Sequence, residues 1–217
     1  MAKKKNVIPV FPLPEVVMFP EMNLPLHIFE DRYKQLVSDC LKTDKQFGIV
    51  LAKENNFYAK VGTLVKIIDI ENLEDGTMNI FTEGRERFEI INFITEEPYH
   101  VAEIQPYEDT DTEIDDKLKL SLKQIKQLAA KALKTFDLLS EEEHSEKIKL
   151  PNKPYELLFL ITTNLTCSHE EKQMILETLD LRVRLQKVIT MLQKDIQRLK
   201  ALQKIQDVLG DEKAKLN

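Results

Sequence analysis

Few residues in this sequence are of a type to do chemistry. There are four histidines (His27, His100, His144 and His169), two cysteines (Cys40 and Cys167) and an acidic run from Glu108 to Asp116. His169-Glu170-Glu171-Lys172-Gln173 comes within one residue of the zinc-binding HExxH pattern. Gln173 stands where the second ligand belongs, and one neutral imidazole does not hold zinc. The same residues predict a short helix instead, with Ser168 as its cap and His169, Glu170 and Glu171 in its first turn. The other histidines show no metal-ligand spacing, and His27, inside LPLHIF, is expected to be a hydrogen-bonded structural residue. The cysteines form no CxxC pair, so each is expected as a buried free thiol. Glu108, Asp109, Asp111, Glu113, Asp115 and Asp116 lack the glycine and spacing of a calcium loop. They suit the N-terminus of a helix, with Asp111 or Thr112 as its cap. No GxxxxGK[ST], GxGxxG or GxSxG motif occurs. No catalytic residue, metal or cofactor is expected.

The bulk properties agree with that. The apolar fraction of 42% and charged fraction of 31% are those of a globular chain long enough to form a core. A net charge of −6 disfavours a nucleic-acid partner, and the basic run Lys3-Lys4-Lys5 is too short to change that. No apolar run approaches the roughly 20 residues of a membrane-spanning helix, so no membrane association is expected. Prolines and Glu15 break the apolar stretch that a leader would need, and a cytoplasmic location is expected.

The elements that must position any site fall into two halves. Residues 1–110 are strand-like. QFGIVLAK, TLVKIIDIENL, MNIFTEG and RFEIINFIT are rich in β-branched and aromatic residues, and Glu74-Asp75-Gly76 marks a hairpin. One helix, 29–42, would bury Tyr33, Leu36, Val37, Cys40 and Leu41 on one side. So many short strands are expected to hide their edges in a closed or nearly closed barrel. Residues 111–217 switch to helical period. Leu118, Leu122, Ile125, Ala129, Ala132 and Phe136 form one stripe, and PYELLFLITTNL is apolar nearly all round, as a buried helix is. A last helix from about Asp180 to Leu209, ending at Gly210, carries Leu181, Leu185, Val188, Leu192, Ile196, Leu199 and Leu202. Its distal part is expected to project.

The stretch PVFPLPEVVMFPEMNLPLHIF contains five prolines among apolar residues. Proline fixes φ and removes a donor, so the segment reads as stiff extended strands joined by tight turns. Phe11, Leu13, Val17, Leu24, Leu26, Ile28 and Phe29 are expected in the core. Met18, Phe19, Pro20 and Met22, with Asn23, form a tip whose methionines and aromatic ring could stay exposed and accept varied apolar partners.

VFPLPEVVMFPEMNLPLHIFEDRYKQLVSDCL, FGIVL, VGTLVKI, DGTMNIFTEGRERFEI and EEKQMILETLDLRVRLQKVITMLQKDI, in this order, resemble the N-terminal substrate-recognition domain of Lon proteases. The resemblance runs from about Val7 to Gln203. PLHIFEDRY and the Phe47-Gly48 pair look like the stand-alone bacterial members of that family. The resemblance implies an α+β fold, a PUA-like β pseudobarrel with one helix followed by a helical bundle with a long terminal helix. It also implies binding of unfolded or damaged polypeptides. The ATPase and peptidase modules of a full Lon are not in the sequence. Neither Ser121 with Lys123 nor Ser168 with Lys172 has the context of a serine–lysine dyad, so a non-enzymatic protein is expected. In the family-like GxxRF turn, Gly84 is expected at a left-handed position, Phe88 in the core and Arg87 beside a carboxylate.

The expected polypeptide-binding residues are therefore Met18, Phe19, Pro20 and Met22, with Leu199 and Leu202 on the last helix. Two alternatives stay open: an adaptor docking on a separate ATPase or protease through its C-terminal helix, and an RNA-binding PUA-like protein. A homo-oligomer is also left open.

Overall fold

A computed structural model describes residues 6–53, 57–110, 112–140 and 150–215. The chain divides into two compact units, one of residues 1–109 with 168–179 and one of residues 110–167 with 180–217.

The first unit is built on six strands: β1 (Asn6–Leu13), β2 (Asn23–Ile28), β3 (Gln46–Leu51), β4 (Val61–Asn72), β5 (Met78–Thr95) and β6 (His100–Pro106). Their order is β2-β5-β4-β3-β1-β6, and β6 pairs back with β5. Five strands therefore close on themselves, while β2 hangs on the outside of β5. Among the described residues only β1 and β3 run parallel. Closure is possible because β5 is 18 residues long. Its first half pairs with β2 and β4, its second with β4 and β6.

Sequence reading divides β5 into two strands with a turn at Gly84; the structure corrects this. Gly84 is an interior strand residue without positive φ. A Cβ there would overlap the Phe19 carbonyl oxygen, so glycine is required by close backbone approach. The left-handed glycine is Gly76, at φ 78° in the expected hairpin. There Asp75 accepts from the Thr77 N–H and hydroxyl.

Among the described residues, two apolar clusters lie in this unit. Val10, Val50, Phe88, Ile90, Ala102 and Ile104 form one. The other lies beneath α1 (Asp31–Leu41), where Tyr33, Leu36, Val37 and Cys40 meet Phe11, Phe47, Ile49, Val65 and Ile67. The Phe11 and Tyr33 rings stack at 3.9 Å. Each such side chain removed from water contributes about 2 kcal/mol. Leu41, expected on the buried side, is exposed.

Helix α4 (His169–Glu177) belongs to this unit although it comes late in the chain. Ser168 caps its start, as the sequence predicts, and Glu171 completes a capping box with it. At its other end Arg87 donates to the Leu176 carbonyl (2.6 Å) and to Asp109 (2.6 Å), and the Tyr107 hydroxyl donates to the Glu177 carbonyl (2.8 Å). The last carbonyls of a helix have no partner within it, and its C-terminus carries partial negative charge. A buried guanidinium answers both demands, and Asp109 neutralises it. The carboxylate expected beside Arg87 is thus present, and Phe88 is in the core.

The second unit holds α2 (Asp116–Ser140), α3 (Pro154–Asn164) and α5 (Leu181–Lys215). Asp115 accepts from the Leu118 N–H and caps α2, a role expected of Thr112 or Asp111; Asp111 lies outside the described residues. Leu118, Ile125 and Ala129 are buried on one stripe, whereas Phe136 is exposed. Helix α3 starts at a proline and buries Leu157, Leu158, Phe159, Ile161 and Thr162. Arg184 of α5 is fully buried over the Tyr155 and Phe159 rings. Helix α5 runs past Gly210 rather than ending there, for about 50 Å at 1.5 Å per residue. One glycine inside a helix costs only about 1 kcal/mol and does not by itself stop it.

Candidate functional site

The expected tip is real as a turn, but its largest side chains face inward. Phe19 and Met18 are 0% and 1% exposed. They are core residues, so the expectation that they offer a binding surface is corrected. The backbone shows why. Thr63 donates its hydroxyl to the Met18 carbonyl (2.6 Å), Gly84 N–H donates to Met22 O (2.8 Å), and Glu21 N–H donates to Gly84 O (3.0 Å). Glu21 takes φ 63° to make the bend. The turn is thereby bolted to β4 and β5, and Phe19 is driven into the interior. Pro20 and Met22 remain half-buried, Met22 against the α1-side core.

An exposed apolar surface lies beside the tip. In the β2–β5–β4 register, Pro25 faces Phe81, and Phe81 faces Asp69. Directly opposed residues of antiparallel strands share a face. Leu24, Leu26 and Ile28 of β2, with Ile80 and Thr82 of β5, take the inner face. Pro25, His27 and Phe81 are left outward. A register shift between Ile67 and Asp69 turns Ile68 outward as well. Phe29 continues this outer row, stacked on His27 with ring centroids 6.1 Å apart. Phe29 is 62% exposed, Ile68 55% and Phe81 45%. Phe29, expected in the core, is thus corrected to surface: it follows the outward parity of Pro25 and His27.

The polar frame of this row is acidic. His27 Nδ1 lies 2.9 Å from Asn79 Oδ1, and Asn79 Nδ2 donates to Glu71 (2.9 Å). His27 is therefore hydrogen-bonded as expected, but exposed. Asp75 lies within electrostatic reach of His27, and hydrogen bonds from Thr77 hold its carboxyl below the usual range. At the opposite end of β2 stands exposed Glu21.

In the second unit the two helix residues separate. Leu199 is buried, which corrects its place in a binding surface, while Leu202 is 44% exposed and Ile205 continues the exposed row. The packed part of α5 ends between them.

Sequence reasoning missed Pro25, Ile68 and Phe81. Strict alternation in NLPLHIF and NIFTEG held the signal for Pro25, Phe29 and Phe81; the bulge at Ile68 had none. Among the described residues, no group of three or more His, Cys, Asp or Glu stands where it could hold a metal ion. No described helix is long and apolar enough to cross a membrane. Cys40 and Cys167 are thiols and not a disulfide; Cys40 is buried as expected, Cys167 only partly so.

Residues 7–194 match the family described as the ATP-dependent protease La (LON) substrate-binding domain. Among curated proteins, the Lon protease of Dictyoglomus thermophilum is 29% identical over 214 residues, covering 95% of this chain and 27% of that protein. That of Syntrophus aciditrophicus is 27% identical over 220 residues, covering 97% of this chain and 28% of that protein. The chain thus spans little more than a quarter of the length of these relatives. Two solved structures share the α+β fold. A Lon N-terminal domain protein from Xanthomonas campestris has a TM-score of 0.65 at 24% identity, covering 85% of this chain and 98% of that one. The N-terminal domain of Mycobacterium avium complex Lon protease has a TM-score of 0.69 at 18% identity, covering 87% and 98%.

Proposed function

The chain belongs to the Lon substrate-binding domain family, and on that premise we propose that it binds exposed apolar segments of unfolded or damaged polypeptides without breaking bonds itself. The observation that carries this reading is the outward row Phe29, Pro25, Phe81 and Ile68, three large apolar side chains and a proline on and beside the outer face of the sheet. Covering about 400 Å² of such surface yields roughly 10 kcal/mol at ~25 cal/mol per Å². Association costs of about 4 kcal/mol leave about 6 kcal/mol net. Binding is then weak and tolerant of sequence, with a dissociation constant on the order of tens of micromolar. The reading includes a cytoplasmic location, which the two thiols suit.

The test is fluorescence anisotropy with a permanently unfolded, carboxymethylated protein as probe. The double variant Phe29→Ser, Phe81→Ser is expected to weaken binding about tenfold, equivalent to 1.4 kcal/mol, with its thermal midpoint nearly unchanged. Unchanged affinity in a folded double variant overturns the reading.

A second reading rests on Leu202 and Ile205, exposed where the buried stripe of α5 ends. Here α5 docks on a separate ATPase or protease in helix-in-groove fashion. Truncation after Arg198 abolishes that capture and leaves binding of unfolded chains intact.

A further inference from the structure

Strand β2 offers more than side chains. Among the described residues it has one strand neighbour, β5, so its other edge is open. Gly84 N–H donates to Met22 O while Gly84 O accepts from Glu21 N–H, so Glu21 and Met22 form a bulge opposite Gly84 at a hydrogen-bonded position, which fixes the alternation along the register. Leu24, Leu26 and Ile28 then direct their backbone groups to β5. Asn23, Pro25 and His27 direct theirs outward. Pro25 sits where its missing N–H costs the ladder nothing, as proline does on an edge strand. The open edge therefore presents the N–H groups of Asn23 and His27 and the carbonyls of Asn23, Pro25 and His27.

The surfaces above and below this edge are unfinished. On the inner face Leu24 and Leu26 are only partly buried, as are Met22 and Leu13 around the same cluster. On the outer face stand Pro25 and the His27–Phe29 stack. The ends are acidic, with Glu21 at one and Asp75 and Glu71 around His27 at the other.

Resting on the polypeptide-binding reading above, we infer that the occupant adds to β2 as a further strand. It is an extended segment with apolar residues at alternate positions and basic residues at its ends. Its main chain pairs with Asn23, Pro25 and His27, its apolar residues cover Leu24 and Leu26, and its basic ends meet Glu21 and Asp75. Main-chain pairing explains tolerance of sequence, because every residue but proline offers the same groups. Pro25 removes one donor in the middle of the edge, which keeps pairing short and reversible.

The experiment follows amide hydrogen exchange of the full chain by NMR. The probe is a peptide of about nine residues with alternating leucine and serine between flanking lysines. The expected result is about tenfold slower exchange at Asn23 and His27 when peptide is bound, with little change at Leu24 and Leu26. His27→Pro, which deletes one outward donor, is expected to weaken the peptide about tenfold relative to His27→Ala, which keeps it. Peptide binding without protection of Asn23 and His27 overturns the edge and leaves the polypeptide-binding reading standing. Failure to bind both this peptide and the unfolded-protein probe overturns that reading itself. Protection that rises with protein concentration in the absence of peptide means that a second copy takes the edge, and also overturns the inference.

Discussion

The turn at Val17–Met22 and the outer face of β2 and β5 have nearly the same side-chain chemistry and opposite fates. The turn carries Val17, Met18 and Phe19, all buried, while the strands carry Pro25, Phe29 and Phe81, all exposed. Composition would place the methionine-rich turn outside and the strand phenylalanines inside. Backbone hydrogen bonds reverse this. The turn is tied to Thr63 and Gly84, which aims its side chains at the core. The strands must alternate, and one face was already spent on Ile28, Ile80 and Thr82. Exposure is thus decided by the ladder rather than by residue type.

The largest expected effect tests the buried half. Phe19→Ala removes a fully buried ring and is expected to cost about 4 kcal/mol, read as a lower urea midpoint. A loss below about 1 kcal/mol would place Phe19 at the surface after all. Next, Gly84→Ala puts a methyl group against the Phe19 carbonyl and is expected to cost about 2–3 kcal/mol, since backbone on both sides must shift. On the exposed half, Phe81→Ser alone is expected to change stability by less than about 0.5 kcal/mol while weakening the unfolded-protein probe several-fold. The reverse pattern, lost stability with unchanged binding, would erase the contrast.

The smallest effect concerns the core beneath the turn, where Cys40 shares a cluster with Met18. Burial, helped by the charges of Asp44 and Asp39, pushes the Cys40 thiol up to about 12. A raised acid keeps its proton in the folded state. Its stabilising contribution is therefore full below the unfolded value and is lost as pH rises toward the folded one. Stability is expected to fall between about pH 9 and 12, with Tyr99, also pushed up to about 12 by burial, acting in the same direction. Urea midpoints in this range should fall less for Cys40→Ala than for the parent chain. A thiol reagent at mildly alkaline pH should find Cys167 well before Cys40.

Much of the fold could be read locally. The Asp75-Gly76 hairpin, the Ser168 cap, the buried α3 and the face of α1 that holds Tyr33, Leu36, Val37 and Cys40 each depend on residues within a few positions of one another. The errors share one cause. Gly84 reads as a turn because its real constraint, the Phe19 carbonyl, comes from 65 positions earlier in the chain. Phe29 reads as a core residue because strand parity matters only once a partner strand fixes which face is the core. Leu199 and Leu202 look alike on one helical stripe, and only the packing around α5 tells them apart.

By itself, the sequence determined the two kinds of grammar, most helix and turn signals and membership of the family, because periodicity and short-range capping are written in neighbouring residues. The tertiary structure alone decided that β6 returns to β5, that α4 rejoins the barrel through Arg87, and that Phe81 rather than Phe19 meets solvent. Those outcomes depend on register and on contacts between distant positions, where shifting a strand by one residue would exchange inside for outside.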